Sequence, residues 1–149
     1  MVRKMSRSNE PAFADRSRHA SLENDPAKAS EMRAFVGSYL EASEIPADVS
    51  DEVLMAVGEV VANSCRHGRA PSKPGVVDLL CERDDDLIRI RISDDGPGFD
   101  VAGVLREGVP DILSQGGRGF FLMRQLMDKV DVRSDRSGTT VILERQLPK

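Results

Sequence analysis

Aromatic side chains are scarce in this chain of 149 residues, which contains no tryptophan, one tyrosine and five phenylalanines. Proteins that bind single-stranded nucleic acid stack its bases on aromatic side chains, and this sequence offers few such platforms. The formal net charge of −4 provides no general attraction for nucleic acids or for anionic membranes. We therefore expect no direct contact with nucleic acid and none with a membrane.

Cysteine and long apolar runs are also scarce. Cys65 and Cys81 lie far apart, and with His19 and His67 as the only histidines they argue against a zinc site. We expect two small core residues in a reducing cytoplasm. No apolar run approaches the roughly 20 residues that a membrane-spanning helix needs. The basic amino terminus is followed by no apolar signal segment, so the predicted location is cytoplasmic.

The rest of the composition is that of a folded protein, with 40% hydrophobic and 31% charged residues. A chain of this length suits a single domain with its own core. Residues 1–17 are polar and show no periodicity, so we expect a flexible N-terminal leader. Residues 18–149 are predicted to form the domain.

Hydrophobic periodicity predicts helices on one face of a mixed, largely antiparallel sheet, which is an α/β (α+β) two-layer sandwich. Asn24-Asp25-Pro26 is typical of a helix start, and Asp48 or Ser50 is expected to cap a second helix. The acidic run 84–86 reads as a hairpin turn, with a metal site as the alternative. The predicted elements are a strand over 19–23, helices over 26–43, 48–66 and 119–129, strands over 76–82, 87–93, 130–132 and 139–143, and a mobile segment over 100–115.

The second predicted helix carries polar residues as well as an apolar side. At 100° per residue, Glu59, Asn63 and Arg66 lie opposite an apolar side that includes Val53 and Val57. A glutamate can accept a proton from an attacking hydroxyl, and an amide oxygen is a suitable Mg²⁺ ligand. Taken alone, these residues are better explained as the solvated side of an amphipathic helix.

A second polar segment, Asp94-Asp95-Gly96-Pro97-Gly98, follows a convincing strand. Asp94 can accept a hydrogen bond from an exocyclic amine such as that of adenine. Gly96 and Gly98 allow a tight backbone and the close approach of a flat ring. An ordinary Asp-Gly turn is the alternative.

A glycine-rich segment, Gly116-Gly117-Arg118-Gly119, opens the third predicted helix. Glycines there expose the first backbone amides of the helix, which can bind phosphate. The segment is neither a Walker loop nor a dinucleotide-binding fingerprint. A flexible loop before a helix is the alternative, in which Arg118 simply faces solvent.

Together these segments resemble the N box and the two glycine-rich boxes of the GHKL ATPases, which include histidine kinases, Hsp90, gyrase B and MutL. Gly138-Thr139-Thr140 resembles a further Gly-Thr element of that superfamily. The closer resemblance is to anti-sigma factor serine kinases of the RsbW and SpoIIAB type, from about Ser21 to Leu147. The stretches 59–68, 94–99 and 117–128 carry it.

This resemblance implies a Bergerat-type histidine kinase-like ATP-binding domain over residues 18–149. By the same resemblance, Glu59 is the catalytic base, Asn63 holds Mg²⁺, Asp94 selects adenine and Thr139 supports the adenine contact. Some relatives carry an arginine where this chain has Gln115, and Arg118 is the candidate substitute. The full predicted set of nucleotide-binding residues is Asn63, Arg66, His67, Asp94, Gly96, Gly98, Phe99, Gly116, Gly117, Arg118, Gly119, Phe120 and Thr139.

The resemblance also implies a function. It predicts a serine/threonine protein kinase that uses ATP and Mg²⁺, phosphorylates a STAS-domain anti-anti-sigma factor and sequesters a sigma factor. A homodimer is expected through the first helix and its strand, where Phe35 and Tyr39 are either partly exposed or part of the core. The alternative is an ATP-gated protein-binding module of another signalling switch, without kinase activity.

Overall fold

The computed structural model describes residues 16–67, 74–98 and 119–148. The predicted mobile segment over 100–115 and residues 1–15 of the predicted leader lie outside them. The strands are β1 (Arg18–Glu23), β2 (Val76–Arg83), β3 (Leu87–Asp94), β4 (Lys129–Asp135) and β5 (Gly138–Gln146). The α-helices are α1 (Ala29–Ala42), α2 (Ala47–His67) and α3 (Gly119–Leu126), and a 3₁₀ turn, Pro26–Lys28, precedes α1.

The strands form one sheet in the order β1-β2-β3-β5-β4. All four ladders between neighbouring strands are antiparallel. The predicted two-layer arrangement is therefore confirmed. Its sheet is more regular than the expected mixed sheet, since the described strands form no parallel pair.

The core lies between the helices and one face of the sheet. Alternate residues of the strands are buried, as the period-2 pattern of a half-buried strand requires. The buried residues on β2, β3 and β5 are Val77, Leu79, Cys81, Ile88, Ile90, Ile92, Val141 and Leu143. They pack against the apolar side of α2, which contributes Val49, Val53, Val57, Val60 and Val61. Burial in this core contributes about 1.5–3 kcal/mol for each large aliphatic side chain.

The helix starts differ in detail from the predictions. Asp25 caps the chain as expected, since its Oδ1 accepts a hydrogen bond from the Ala27 amide at 2.9 Å. The capped turn is a short 3₁₀ helix, and α1 begins only at Ala29. Helix α2 begins at Ala47, so Asp48 and Ser50 lie inside the helix and the expected cap at either position is wrong.

The last helix is shorter than predicted. It ends at Leu126, and Lys129 already belongs to β4. The Asp128 amide donates to the Glu144 carbonyl at 2.8 Å, so strand pairing takes over the backbone hydrogen bonds here. Arg145 also donates to the Leu126 carbonyl at 2.9 Å, which satisfies one of the carbonyls left open at a helix end.

The hairpin turn and the cysteines behave as expected. Asp84 Oδ1 accepts hydrogen bonds from the amides of Asp86 and Leu87, so it closes the turn between β2 and β3. Cys65 and Cys81 are both buried free thiols. Burial raises the pKa of Cys81 to about 12, which keeps this thiol protonated and unreactive.

Two features bear on the predicted leader and dimer surface. Arg16, the first described residue, pairs with Asp85 at 2.7 Å, and its carbonyl accepts a hydrogen bond from the Tyr39 hydroxyl. Tyr39 is only 3% exposed and belongs to the core, while Phe35 is partly buried against it. The interpretation of Tyr39 as a core residue is therefore confirmed.

Candidate functional site

A polar row crosses the helix-facing side of the sheet at one end. Three neighbouring strands contribute Asp94, Thr139 and Ser134, which lie directly opposite one another in the register. Asp94 lies two residues after Ile92 on β3, so its side chain points toward the helices as that of Ile92 does. The sheet thus ends in a carboxyl group and two hydroxyls, whereas the two rows before this one are apolar.

Backbone and side-chain donors hold the Asp94 carboxyl group in place. Its Oδ1 accepts hydrogen bonds from the amides of Gly96 at 3.1 Å and Thr139 at 3.2 Å. The Ser64 hydroxyl of α2 is a third donor. Through these hydrogen bonds Asp94, the predicted adenine-binding residue, is connected to α2 and to the Gly-Thr hairpin.

Burial is the largest influence on the charge of Asp94. It raises the pKa of this carboxyl group above its ordinary value, and the neighbouring Asp95 carboxylate raises it further. Hydrogen bonds from Gly96, Thr139 and Ser64 act in the opposite direction and do not fully offset the burial. Asp94 is therefore a fixed, partly desolvated acceptor, which suits the recognition of an amine donor on a flat ring.

Two glycines close this end of the sheet. Gly98 has φ +74° and Gly138 has φ +140°, a region that side chains rarely adopt. A Cβ at Gly138 would lie 1.9 Å from the Asp94 carbonyl oxygen, and one at Gly98 would lie 2.0 Å from the Asp135 carbonyl oxygen. Only glycine fits either position, so both are required by the packing of the two turns.

Helix α2 carries the second group of predicted site residues. Asn63 is 9% exposed, and its Oδ1 accepts a hydrogen bond from Arg66 Nη2 at 2.9 Å. Arg66 is exposed and Glu59 is half-buried. The alternative that all three lie on a solvated side is wrong for Asn63, because its side chain is nearly buried.

An apolar groove opens beside Glu59, between the three helices. Its volume is about 440 Å³. Arg33 of α1 and Leu122 of α3 lie at its sides, and Met55 at its wall is 51% exposed. Glu59 therefore lines a groove that is open to solvent.

Sequence reasoning missed two residues of this region. Ser64 contacts Asp94, and Asn24 is 1% exposed with its Nδ2 donating to the Ser64 carbonyl at 2.9 Å. Asn24 thereby ties the start of the first helical segment to α2. The position of Ser64 next to Asn63 is the one signal that points to it, whereas nothing local in the sequence indicates the contact of Asn24.

Phe99, Gly116, Gly117 and Arg118 lie outside the described residues. His67 is the last residue of α2, and Gly119 and Phe120 are the first residues of α3. In the described ranges, no group of three His, Cys, Asp or Glu residues is arranged to hold a metal ion.

Residues 16–67, 74–98 and 119–148 include no helix that is long and apolar enough to cross a membrane. A strongly apolar stretch of about 20 residues would be needed for that.

Comparisons with known proteins agree with this arrangement. The sequence model of the histidine kinase-like ATPase domain matches residues 22–145, within the predicted domain. The serine-protein kinase RsbW of Staphylococcus epidermidis is 36% identical over 110 residues, which are 68% of this chain and 68% of that protein. The anti-sigma F factor of Clostridium novyi is 31% identical over 120 residues, which are 77% of this chain and 83% of that protein.

Solved structures share the fold. A structure of the RsbU and RsbW domains of Rv1364c from Mycobacterium tuberculosis matches with a TM-score of 0.68 at 18% identity. The match covers 89% of this chain and 33% of that longer one. The histidine kinase domain of a blue-light-activated kinase from Erythrobacter litoralis matches with a TM-score of 0.59 over 78% of this chain. The chain therefore belongs to the family of histidine kinase-like ATPase domains and is of the RsbW and anti-sigma F factor type.

Proposed function

We propose that this chain is an ATP-dependent serine/threonine protein kinase that acts as a cytoplasmic anti-sigma factor. It would phosphorylate a STAS-domain anti-anti-sigma factor and, when free of that protein, hold a sigma factor inactive. The observation that carries the proposal is the joint position of two groups. The Ser64 hydroxyl of α2 donates to Asp94 in the polar row, and α2 is also the helix that carries Glu59, Asn63 and Arg66.

The polar row is the proposed adenine end of the site. Asp94 would accept a hydrogen bond from the exocyclic amine of adenine, since its carboxyl group is already fixed by Gly96 and Thr139. The Thr139 hydroxyl lies 2.7 Å from the Ser134 hydroxyl, which holds it at the edge of the same row. Gly96 and Gly98 are the predicted positions at which the absence of a side chain would allow a flat ring to approach.

Asn63 is the proposed metal ligand. Its side chain offers one neutral, nearly buried oxygen, and no cage of carboxylates surrounds it among the described residues. This donor fits Mg²⁺, which prefers few protein ligands and keeps its contacts to phosphates and waters. When bound, Mg²⁺ would neutralise charge on the phosphates. The start of α3 at Gly119 and the predicted Gly116, Gly117 and Arg118 would line the phosphates.

Glu59 is the proposed general base. The attacking serine hydroxyl oxygen would form a bond to the γ-phosphorus while the bond from that phosphorus to the bridging oxygen of ADP breaks. The hydroxyl proton would pass to the Glu59 carboxylate, and ADP would leave. The open groove beside Glu59 gives the acceptor segment of a protein access to this carboxylate.

The proposed assembly is a homodimer. Among the described strands, β1 lies at one edge of the sheet, so the proposed contact would use the backbone donors and acceptors along its outer side. Tyr39 belongs to the core of each monomer, which leaves β1 and the exposed residues of α1 as the contact surface.

Calorimetry with Mg-ATP tests the nucleotide site. Wild-type protein is expected to bind, and Asn63→Ala is expected to abolish or strongly weaken binding because it removes the predicted metal ligand. Folded wild-type protein that does not bind Mg-ATP would reject the proposed site and favour a protein-interaction module.

Phosphotransfer to a STAS-domain protein tests the kinase. Glu59→Gln keeps the shape of the side chain but cannot take the proton, so transfer should fall by about 10²–10⁴-fold. Calorimetry should show that this variant still binds Mg-ATP. Unchanged phosphotransfer would remove Glu59 from the role of base, and wild-type binding without any transfer would identify an ATP-gated binding module.

A further inference from the structure

The contact between Arg66 and Asn63 occupies the oxygen that is proposed to bind the metal. Arg66 Nη2 donates to Asn63 Oδ1 at 2.9 Å. Arg66 is one turn beyond Asn63 on α2, so both side chains lie on the same side of the helix. A guanidinium cation therefore lies beside this oxygen.

We propose that Arg66 determines how strongly nucleotide binding depends on the metal ion. This inference rests on the proposed function and goes beyond it. The guanidinium of Arg66 substitutes for the metal at Asn63 when no metal is present, and it leaves that oxygen when metal-loaded nucleotide binds. Arg66 thus favours binding of metal-free nucleotide and opposes binding of the metal-loaded form.

The chemistry of the two side chains supports this competition. Asn63 is 9% exposed, so few water molecules can approach its amide oxygen and compensate for a lost partner. Its oxygen accepts and its NH₂ group donates, and the bond from Arg66 selects the orientation in which the oxygen faces the guanidinium. Arg66 therefore fixes the orientation in which the amide oxygen, the proposed metal ligand, is presented on this side of α2.

The Arg66 guanidinium and a metal ion cannot both lie beside Asn63 Oδ1, because both are cations. A guanidinium within hydrogen-bonding distance of Oδ1 and a divalent ion bonded to the same atom would be two cations only a few ångströms apart, and they repel. Arg66 is exposed and lies next to the last residue of α2, so its side chain is able to turn away from Asn63. Polyphosphate without a metal is an anion that a free guanidinium fork binds well.

The test compares two affinities in the same protein. Calorimetry would measure the dissociation constant of ATP with excess Mg²⁺ and of ATP in excess EDTA, for wild type and for Arg66→Ala. The variant is expected to bind metal-free ATP about tenfold more weakly, because one charge-assisted hydrogen bond is lost. Its affinity for Mg-ATP is expected to stay the same or rise, so the ratio of the two affinities changes by at least about tenfold.

Two further variants make the result specific. Arg66→Lys keeps the charge and loses the guanidinium fork, so its ratio should lie between those of wild type and Arg66→Ala. Arg91→Ala removes the same charge from β3, on the face of the sheet opposite the buried Ile90 and Ile92, and should leave the ratio unchanged. Thermal unfolding without ligand checks that each variant is folded.

Each outcome decides between the explanations. Equal weakening of both affinities in Arg66→Ala would make Arg66 an ordinary phosphate ligand, and no change in either would make it a solvated side chain. Both results overturn this inference and leave the proposed function intact. Absence of ATP binding by folded wild-type protein, with and without metal, would overturn the proposed function and this inference together.

Discussion

Two neighbouring parts of the helix-facing side of the sheet share one geometry and differ in residue type. The apolar part consists of two rows that run across four strands, namely Cys81, Ile90, Leu143 and Val130, and Leu79, Ile92, Val141 and Val132. The polar part is the next row, which runs through Val77, Asp94, Thr139 and Ser134. Spacing and direction of the side chains are the same in all three rows.

The difference shows how one sheet face can serve both stability and recognition. The apolar rows pack against α2 and need no specific partner. Asp94 in the polar row needs three donors from three different elements, namely Gly96, Thr139 and Ser64. Burying a polar group lowers stability unless its hydrogen bonds are made, so the polar row is kept in place by its contacts and contributes little to the core.

The largest expected effect comes from the apolar part. Ile90 is fully buried, and Ile90→Ala should lower the free energy of unfolding by about 2–5 kcal/mol. Urea unfolding measures this change. Ile90→Val is the matched control and should lower it by only about 0.5–1.5 kcal/mol. Folded Ile90→Ala protein should bind Mg-ATP with the affinity of wild type. A weaker affinity of the folded variant would contradict the separation of the two parts.

A glycine beside the polar row gives the next effect. Gly138→Ala would bring a Cβ within 1.9 Å of the Asp94 carbonyl oxygen, so the free energy of unfolding should fall by about 2 kcal/mol or more. The free energy of unfolding and the affinity for Mg-ATP should both fall, because relieving this contact displaces Asp94 itself. Denaturant unfolding and calorimetry measure the two quantities.

The matched control for this substitution is Gly37→Ala in the interior of α1. A Cβ there would meet Leu54 at 3.8 Å, which is an ordinary contact. Alanine has the higher helix propensity, so stability should rise by up to about 1 kcal/mol. A tolerated Gly138→Ala substitution would show that the turn beside the polar row can move, and it would weaken the case for a preformed adenine site.

The apolar part was largely predictable from the sequence. The alternation of Ile88, Ile90 and Ile92 fixes both the strand and its buried side. The helix ends were less predictable, because α3 stops where Asp128 pairs with Glu144, a partner 16 positions away that local patterns do not reveal.

The polar part was predictable only through its motif residues. Asp94 and Thr139 stand in recognisable segments, and the Thr139 amide donates a hydrogen bond to the Asp94 carboxyl group. The contacts of Asn24 and Ser64 depend on the packing of α2, β3 and the turn before α1, and the position of Ser64 next to Asn63 is the one local signal for either residue. Phe99 and Arg118 remain predictions.

The smallest expected effect tests the polar part through pH. Burial raises the folded-state pKa of Asp94 above its unfolded value, so the folded protein binds this proton more tightly than the unfolded chain does. This contribution to stability is complete below the unfolded pKa and is lost as the pH rises through the raised folded pKa. The variant Asp94→Asn cannot ionise there and lacks this dependence.

Urea unfolding of both proteins over a series of pH values measures the difference. The stability of wild type relative to Asp94→Asn should therefore increase as the pH falls from neutral through the raised pKa, and it should level off below the ordinary aspartate range. Subtracting the variant removes the contributions of other groups that titrate equally in both. A difference that changes in the opposite direction would mean that the hydrogen bonds from Gly96, Thr139 and Ser64 outweigh the burial, and that Asp94 is held as a stable carboxylate.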